Sequence, residues 1–414
     1  MSLSVTAQRA PGAADSRRPS PIMREAAAGT PQPRRRPAQL AAAGPLQCPP
    51  ARRPRCRGDG AVLPAWAALP AEVGGGRLGM AAALPAEVGG GRLGMAAALP
   101  AEVGGGRVGM AAAAKVEAAA AAAEERVRVW AAAQVASGRR VALVTSGGTQ
   151  VPLETRAVRF LENFSSGRRG AVSAECLVSA GYGVCFLHRA RSVFPWARVL
   201  PPPGPALLDA FRLTPGPPPG VAADPDALPA LLPALRAYRE AADAGALLSL
   251  EFTDLNEYLA LLRATARALA PFGSGVMFYL AAAVSDFYIP ASEMPEHKIQ
   301  SSEGALQITM KMVPKMLSPL VKEWAPEAFV ISFKLETDPL ILIDKSRQAL
   351  EKYRHQVVVA NILESRRTSV IIVTKDSQTP LSLSEEEIAQ GVEIEEKIVS
   401  YLQGQHTLFM EKKI

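Results

Sequence analysis

Four cysteines and four histidines are all that 414 residues hold of the side chains most used for metal binding and nucleophilic catalysis. None of Cys48, Cys56, Cys176 and Cys185 forms a CxxC pair. That excludes a disulfide framework or a cysteine-rich zinc site and predicts free thiols in a reducing compartment. No apolar run reaches the ~18 residues that span a bilayer, and no secretory apolar core follows the start. No membrane partner is expected, and the cytosol is the expected location. The Arg-rich, acid-poor opening resembles a mitochondrial presequence, but Pro19, Pro21, Pro31, Pro33 and Pro37 break the amphipathic helix such a leader needs. An excess of one charge is also missing where it would matter. Residues 1–114 hold 14 Lys+Arg against 6 Asp+Glu, whereas residues 115–414 hold 32 against 33. The part able to fold is near neutral, so the net charge of +7 gives no reason to expect a nucleic-acid partner.

What is present is unevenly distributed. Residues 1–68 are rich in Pro, Arg, Ala and Gly without a sustained hydrophobic period, the composition of a disordered segment. Three tandem fifteen-residue copies follow, Leu69–Ala83, Leu84–Ala98 and Leu99–Ala113, differing only where Val108 stands for Leu78 and Leu93. A unit with a Gly-Gly-Gly centre makes neither a helix pair nor a strand repeat, so a solenoid is not expected. The near-identity fits recent duplication, and the expectation is that residues 1–109 reflect start-site choice, with Met110 the natural initiator. Residues 1–110 are thus read as a low-complexity segment and residues 111–414 as the folded body, led by an Ala-rich helix over Ala111–Ala136.

The body alternates short apolar runs with helical patterns. Strands are predicted at Arg140–Thr145, Gly183–His188, Val276–Ala283, Phe329–Lys334, Gln356–Ala360 and Ser369–Thr374. Helices are predicted at Arg168–Ala180, Thr253–Ala270, Lys315–Glu323, Pro339–Tyr353 and Ser384–Leu402. Continuous apolar strands interleaved with helices predict a doubly wound, mostly parallel α/β sheet of Rossmann-like type. Proline-dense Trp196–Pro233 reads as a surface insertion, and Ile289–Met312 as a protruding two-stranded arm turning at Ser301–Gly304.

Chemistry concentrates in Val141–Gly170. A strand runs into Ser146-Gly147-Gly148-Thr149, and a second glycine turn, Ser165-Ser166-Gly167-Arg168-Arg169-Gly170, opens a helix. Glycine permits both a positive-φ turn and close backbone approach, and free N–H groups at a helix start attract anions, so a phosphate-bearing ligand is expected. The spacing matches neither the GxGxxG dinucleotide fingerprint nor the P-loop. No ribose-binding acid follows the second strand; His188-Arg189-Ala190-Arg191 stands there instead, which disfavours NAD but tolerates a 2′-phosphate. An NADP-dependent reductase is therefore the alternative reading. Taken singly, Asp286 reads equally as a cap, Lys298 as a solvated loop lysine, Phe333 as core and Asn361 as a turn residue.

Their order is more informative. GGT, NFSSGRRG, AAAVSDF, EHKI, ISFKLETD and VVVANIL occur in that sequence between Gly138 and Leu402, and together they resemble phosphopantothenoylcysteine synthetase, the ligase of coenzyme A biosynthesis, in its animal form. The resemblance implies an ATP- and Mg²⁺-dependent joining of 4′-phosphopantothenate to L-cysteine through an acyl-adenylate, in a homodimer with shared active sites. It implies that Gly147, Ser165, Gly167 and Gly170 line the nucleotide, with Phe333 beside the base or ribose and Asn361 hydrogen-bonded to it. It further implies that Asn163 orients the activated acyl group, that Ala282, Ala283 and Asp286 contact phosphopantothenate from the neighbouring subunit, and that Lys298 acts in adenylate turnover. Where bacterial relatives read KIKK, this chain has Lys298-Ile299-Gln300-Ser301, which implies the ATP-using eukaryotic branch.

Overall fold

The computed structural model describes residues 107–413. The disorder expected of residues 1–106, and the first two repeat copies, lie outside the described residues. Residues 107–110, assigned above to the low-complexity segment, form the first turn of helix α1 (Arg107–Ala136). The chain continues as β1 (Val141–Ser146), a hairpin of β2 (Gln150–Pro152) and β3 (Phe160–Glu162), α2 (Arg168–Ser179) and β4 (Gly183–Arg189). An excursion holds α3 (Pro205–Asp209), the hairpin β5 (Phe211–Thr214) with β6 (Gly220–Ala223), and α4 (Leu231–Asp243). Then come β7 (Leu247–Phe252), α5 (Leu255–Leu269) and β8 (Val276–Leu280), followed by a two-rung ribbon of β9 (Phe287–Tyr288) and β10 (Lys311–Met312). Helix α6 (Leu317–Pro319) runs into a π turn over Leu320–Trp324, and β11 (Phe329–Glu336), α7 (Pro339–Tyr353) and β12 (Val357–Ile362) follow. The last elements are β13 (Ser369–Val373), β14 (Gln378–Ser382), α8 (Glu385–Ala389) and α9 (Ile394–Glu411).

Eight strands form one sheet in the order β14-β13-β12-β11-β8-β1-β4-β7, parallel except where β13 and β14 close one edge. The alternation of side chains along a strand divides each one between two cores. From β1, Val141 and Leu143 pack with Val127 and Ala131 of α1 and Tyr258, Leu262 and Leu269 of α5. Ala142 and Val144 point the other way, toward Ala171, Ala174 and Leu177 of α2 and Ile394, Ile398 and Leu402 of α9. Because both faces are covered, β1 is buried along its whole length, and this is why the strand reads as an unbroken apolar run. The expected mostly parallel α/β sheet is what forms.

Several boundaries differ for local reasons. The helix expected over Ser384–Leu402 is two, interrupted at Gly391, whose φ of +77° ends α8. The strand expected to reach Ala283 leaves the sheet after Leu280, because Ala283 instead bridges Gly148 beyond β1. The arm over Ile289–Met312 is two-stranded only at its base, and Ser301–Glu303 forms a 3-10 turn. Its polar HKIQSSEG run offers no alternating apolar face to lengthen the ladder. It docks instead on the loop after β2, with Thr155 N–H donating to Pro295 O at 2.8 Å and Arg156 N–H to Glu296 O at 3.0 Å.

Burial of histidine gives the fold a pH limit. His406 is fully buried; its Nε2–H donates to Ser274 O at 2.8 Å, which leaves Nδ1 to accept from the Tyr182 hydroxyl at 2.9 Å. Burial pushes its pKa down to about 4, and burial does the same to His355, also to about 4. Unfolded, each imidazole titrates near 6.5. Between 6.5 and 4 the unfolded chain binds protons that the folded chain does not, so stability is full above pH 6.5 and falls as pH drops. Each residue accounts for about 3 kcal/mol across that window. Urea unfolding at pH 7.5, 6.0 and 5.0 checks this. The expected result is uptake of about two protons on unfolding between pH 6 and 5.

Candidate active site

The site lies where the sheet changes direction. From β1 the chain crosses to β4 and then β7, whereas from β8 it crosses the opposite way to β11 and β12. The loops after β1 and β8 therefore diverge and leave a crevice at their carboxyl ends, the position where open α/β sheets bind ligands. A cleft of about 700 Å³ opens there.

Three segments build its wall. The first is the loop after β8, stitched to the turn Gly147–Thr149 behind it: Ala283 N–H donates to Gly147 O at 2.8 Å and Thr149 N–H to Ala283 O at 3.1 Å. Thr145 Oγ1 accepts from Ala282 N–H at 3.1 Å. The second is the turn after β3. Asn163 N–H donates to Thr149 O at 3.1 Å, and Gly167, at φ +80°, opens α2 without a side-chain cap. Arg168 N–H donates to Ser166 Oγ at 3.4 Å, and the rest of the first turn of α2 has no N-cap side chain, the kind of helix end that binds anions. The third segment comes from β11 and β12. Phe333 packs edge-on against Tyr279 with centroids 4.9 Å apart, and Asn361 Nδ2 donates to Lys334 O at 2.6 Å. Arg169 ties this side to α2: it lies 5.6 Å over the Phe333 ring, donates to Arg366 O and Asn361 Oδ1, and pairs with Glu395 at 3.1 Å. Burial raises the Glu395 carboxyl above its ordinary range, against the pull of Arg169.

Of the residues singled out from sequence, Asn163, Ser165, Gly167, Ala282, Ala283, Asp286, Phe333 and Asn361 come together on the wall of this one cleft. Gly147 and Gly170 stand behind it. A Cβ at Gly147 would fall 2.5 Å from Arg189 Cβ, and one at Gly170 would fall 2.4 Å from Ser146 Oγ. Their smallness lets the chain pack against itself. Lys298 is exposed on the arm and is not part of the wall. The arm is held by buried Glu154, which accepts from Val158, Arg159 and Ile299 N–H and pairs with Arg159 at 2.7 Å. Burial opposes ionisation of that carboxyl, but these donors together hold it below its usual range.

Other residues on or behind the wall were not assigned a site role from the sequence. Gly148 approaches Asn163 more closely than any side chain could. Thr149 and Ser285 link the first two segments through their hydroxyls. Lys315 pairs with Asp286 at the cleft mouth. Thr149 and Ser285 carried a usable signal, a hydroxyl inside each motif; Lys315 did not, since nothing in its local sequence marks it. Arg189, which tolerated a 2′-phosphate in the reductase reading, is already engaged, donating to Gly148 O at 3.0 Å and pairing with Glu162 at 2.7 Å. Neither Cys176 nor Cys185 suits nucleophilic chemistry, because burial pushes both thiols up to about 12. Among the described residues no helix is long and apolar enough to cross a membrane.

Comparison with known proteins shows what the chain resembles. A family profile described as the DNA/pantothenate metabolism flavoprotein C-terminal domain matches residues 136–195 and 262–400. The gap between them contains the excursion from α3 to α4. Human phosphopantothenate–cysteine ligase is 65% identical over 284 residues, covering 66% of this chain and 89% of the human protein. The corresponding ligase of Saccharomyces cerevisiae, CAB2, is 39% identical over 259 residues, covering 58% of this chain and 69% of the yeast protein. A solved structure of a Cab2 mutant in complex with phosphopantothenate-cysteine superposes with a TM-score of 0.64 at 37% identity. It covers 70% of this chain and 94% of that one.

Proposed function

Because the chain belongs to the phosphopantothenate–cysteine ligase family, we propose that it joins 4′-phosphopantothenate to L-cysteine in coenzyme A biosynthesis, using ATP and passing through an acyl-adenylate. The observation that carries this reading is the meeting, in one cleft, of an uncapped helix start, an asparagine held by two hydroxyls, and the small-residue loop after β8. In the first step a carboxylate oxygen of phosphopantothenate attacks the α-phosphorus, forming the acyl–phosphate bond and expelling pyrophosphate. In the second, the cysteine amine attacks the acyl carbon, forms the amide, loses a proton and expels AMP. The first step brings two anions together and the second builds negative charge on the acyl oxygen and the departing AMP, so their barriers fall mainly through fixed positive charge and N–H donors, and no protein nucleophile is required.

The chain's own residues divide this work. The open N–H groups at the start of α2, with Ser165 and Gly167, receive the nucleotide phosphates. Phe333 and Asn361 hold the base or ribose, and Arg169 keeps both in place. Asn163 Nδ2 donates to the acyl oxygen, while Ala282, Ala283 and Asp286 contact phosphopantothenate. The described residues include no group of three or more His, Cys, Asp or Glu placed to hold a metal ion. Mg²⁺ would arrive with the nucleotide and would supply neutralisation of its phosphate charge. A homodimer with shared sites accounts for Lys298, whose position on the arm suits delivery to a second copy's cleft. Exposed Phe160 and Leu161 of β3, with Phe287 and Met312 of the ribbon, give such a partner an apolar surface.

The test is pyrophosphate release by the full chain with Mg²⁺ and either ATP or CTP, with and without phosphopantothenate. The expected result is release that requires phosphopantothenate and is faster with ATP. Tight NADPH binding with no such release would overturn the proposal.

A further inference from the structure

Asn163 is held on its cleft wall by a buried pair of hydroxyls. Its Oδ1 accepts from Ser285 Oγ at 3.1 Å. Ser285 Oγ lies 2.9 Å from Thr149 Oγ1, which also accepts from Ser285 N–H at 2.9 Å. Thr149 is fully buried and Ser285 is only 7% exposed. Each hydroxyl has a single proton to place. The Ser285 proton goes to Asn163 Oδ1, so the Thr149 proton goes to Ser285 Oγ, and every hydrogen in the chain has an acceptor. Were the Asn163 amide reversed, Nδ2 would face Ser285 Oγ and the Ser285 proton would turn back toward Thr149. The Thr149 proton would then lose its Ser285 acceptor, which is costly at a fully buried hydroxyl.

We propose that Thr149 and Ser285 are positioning residues that fix the amide of Asn163 in one orientation, with Oδ1 inward and the two Nδ2 hydrogens presented to the acyl oxygen. This rests on the reading of Asn163 as the residue that contacts the acyl group. The two hydroxyls come from opposite sides of the crevice, one after β1 and one after β8. The same bonds that fasten the two loops together therefore aim the amide. A donor that is already oriented needs no reorganisation as charge develops, whereas a freely turning amide presents its oxygen to the oxyanion part of the time.

Steady-state kinetics of Ser285→Ala, Thr149→Val, Thr149→Ser, Asn163→Ala and the Ser285→Ala/Asn163→Ala double variant test this. Thr149→Val keeps the side-chain shape but removes both the relay proton and the acceptor of Ser285 N–H, so Tm is measured for it and for Ser285→Ala, and Thr149→Ser supplies the rescue. The expected result is a loss of about tenfold in kcat for Ser285→Ala and Thr149→Val, with KM for ATP within about twofold of the parent. Thr149→Ser, which restores the hydroxyl, is expected within about twofold of the parent in kcat. The double variant is expected to be no slower than Asn163→Ala alone, because Ser285 has nothing to orient once the amide is gone. Losses that add in the double variant, or full activity in both Ser285→Ala and Thr149→Val, overturn the relay while leaving the role of Asn163 intact. Full activity in Asn163→Ala would overturn that role and the relay with it.

Discussion

Gly148→Ala is expected to lose at least about 10²-fold in kcat/KM. A Cβ at this position would stand 1.9 Å from the backbone oxygen of Asn163 and 3.0 Å from its carbonyl carbon. Neither neighbour is the end of a flexible side chain, so the backbone itself must move by roughly an ångström to reach contact distance. Asn163 is fastened from the other side by its N–H bond to Thr149 O, so the shift passes into the asparagine and the two hydroxyls behind it. Misplacement of a reacting geometry by about 1 Å costs about two orders of magnitude in rate. Overpacking adds about 1–3 kcal/mol of destabilisation, read as a fall of a few degrees in Tm. Gly404→Ala is the control: it lies within α9 with nothing within 4 Å of the added carbon, and alanine there is expected to raise stability slightly. Wild-type kinetics in Gly148→Ala would contradict the close approach.

That example also marks what the sequence made legible. The resemblance implies a role for Gly147 and none for Gly148, and adjacent glycines in a turn look alike in one dimension. Only the packed loops separate a glycine needed for its φ of +86° from one needed for backbone approach. The sheet was readable because burial on both faces writes itself as apolar runs, as in Val357-Val358-Val359-Ala360. Strand β7 was missed because Leu247-Leu248-Ser249-Leu250-Glu251-Phe252 sits at the sheet edge, where one side of the strand is open and the apolar run is broken by Ser249 and Glu251. The cleft wall was legible as a set of motifs, but not the contacts between them. Thr149 and Ser285 are 136 residues apart in sequence, and local pattern carries no information about a hydrogen bond across that separation. Arg169 and Lys315 went unassigned for the same reason: their partners, Glu395 and Asp286, are set by tertiary placement.

Asn163→Ala is expected to lower kcat by about 10²–10³, the usual loss when one preorganised donor to a developing oxyanion is removed, while KM for ATP stays within about threefold. In the proposed route the acyl oxygen gains negative charge when the cysteine amine attacks, and the Asn163 Nδ2 donor meets that charge. In the ground-state carboxylate the charge is spread over two oxygens, so the amide contributes less to binding than to rate. Single-turnover measurement separates the two steps. Pyrophosphate release without cysteine should slow less than amide formation once cysteine is added. Asn163→Asp sharpens the prediction. The carboxylate nearly matches the amide in shape and can still accept from Ser285, but it replaces the donor with a charge that repels the developing oxyanion. Its activity should therefore fall at or below that of Asn163→Ala, with a similar Tm. An aspartate variant more active than the alanine variant would mean that Asn163 acts by filling space, and that the donor lies elsewhere on the wall.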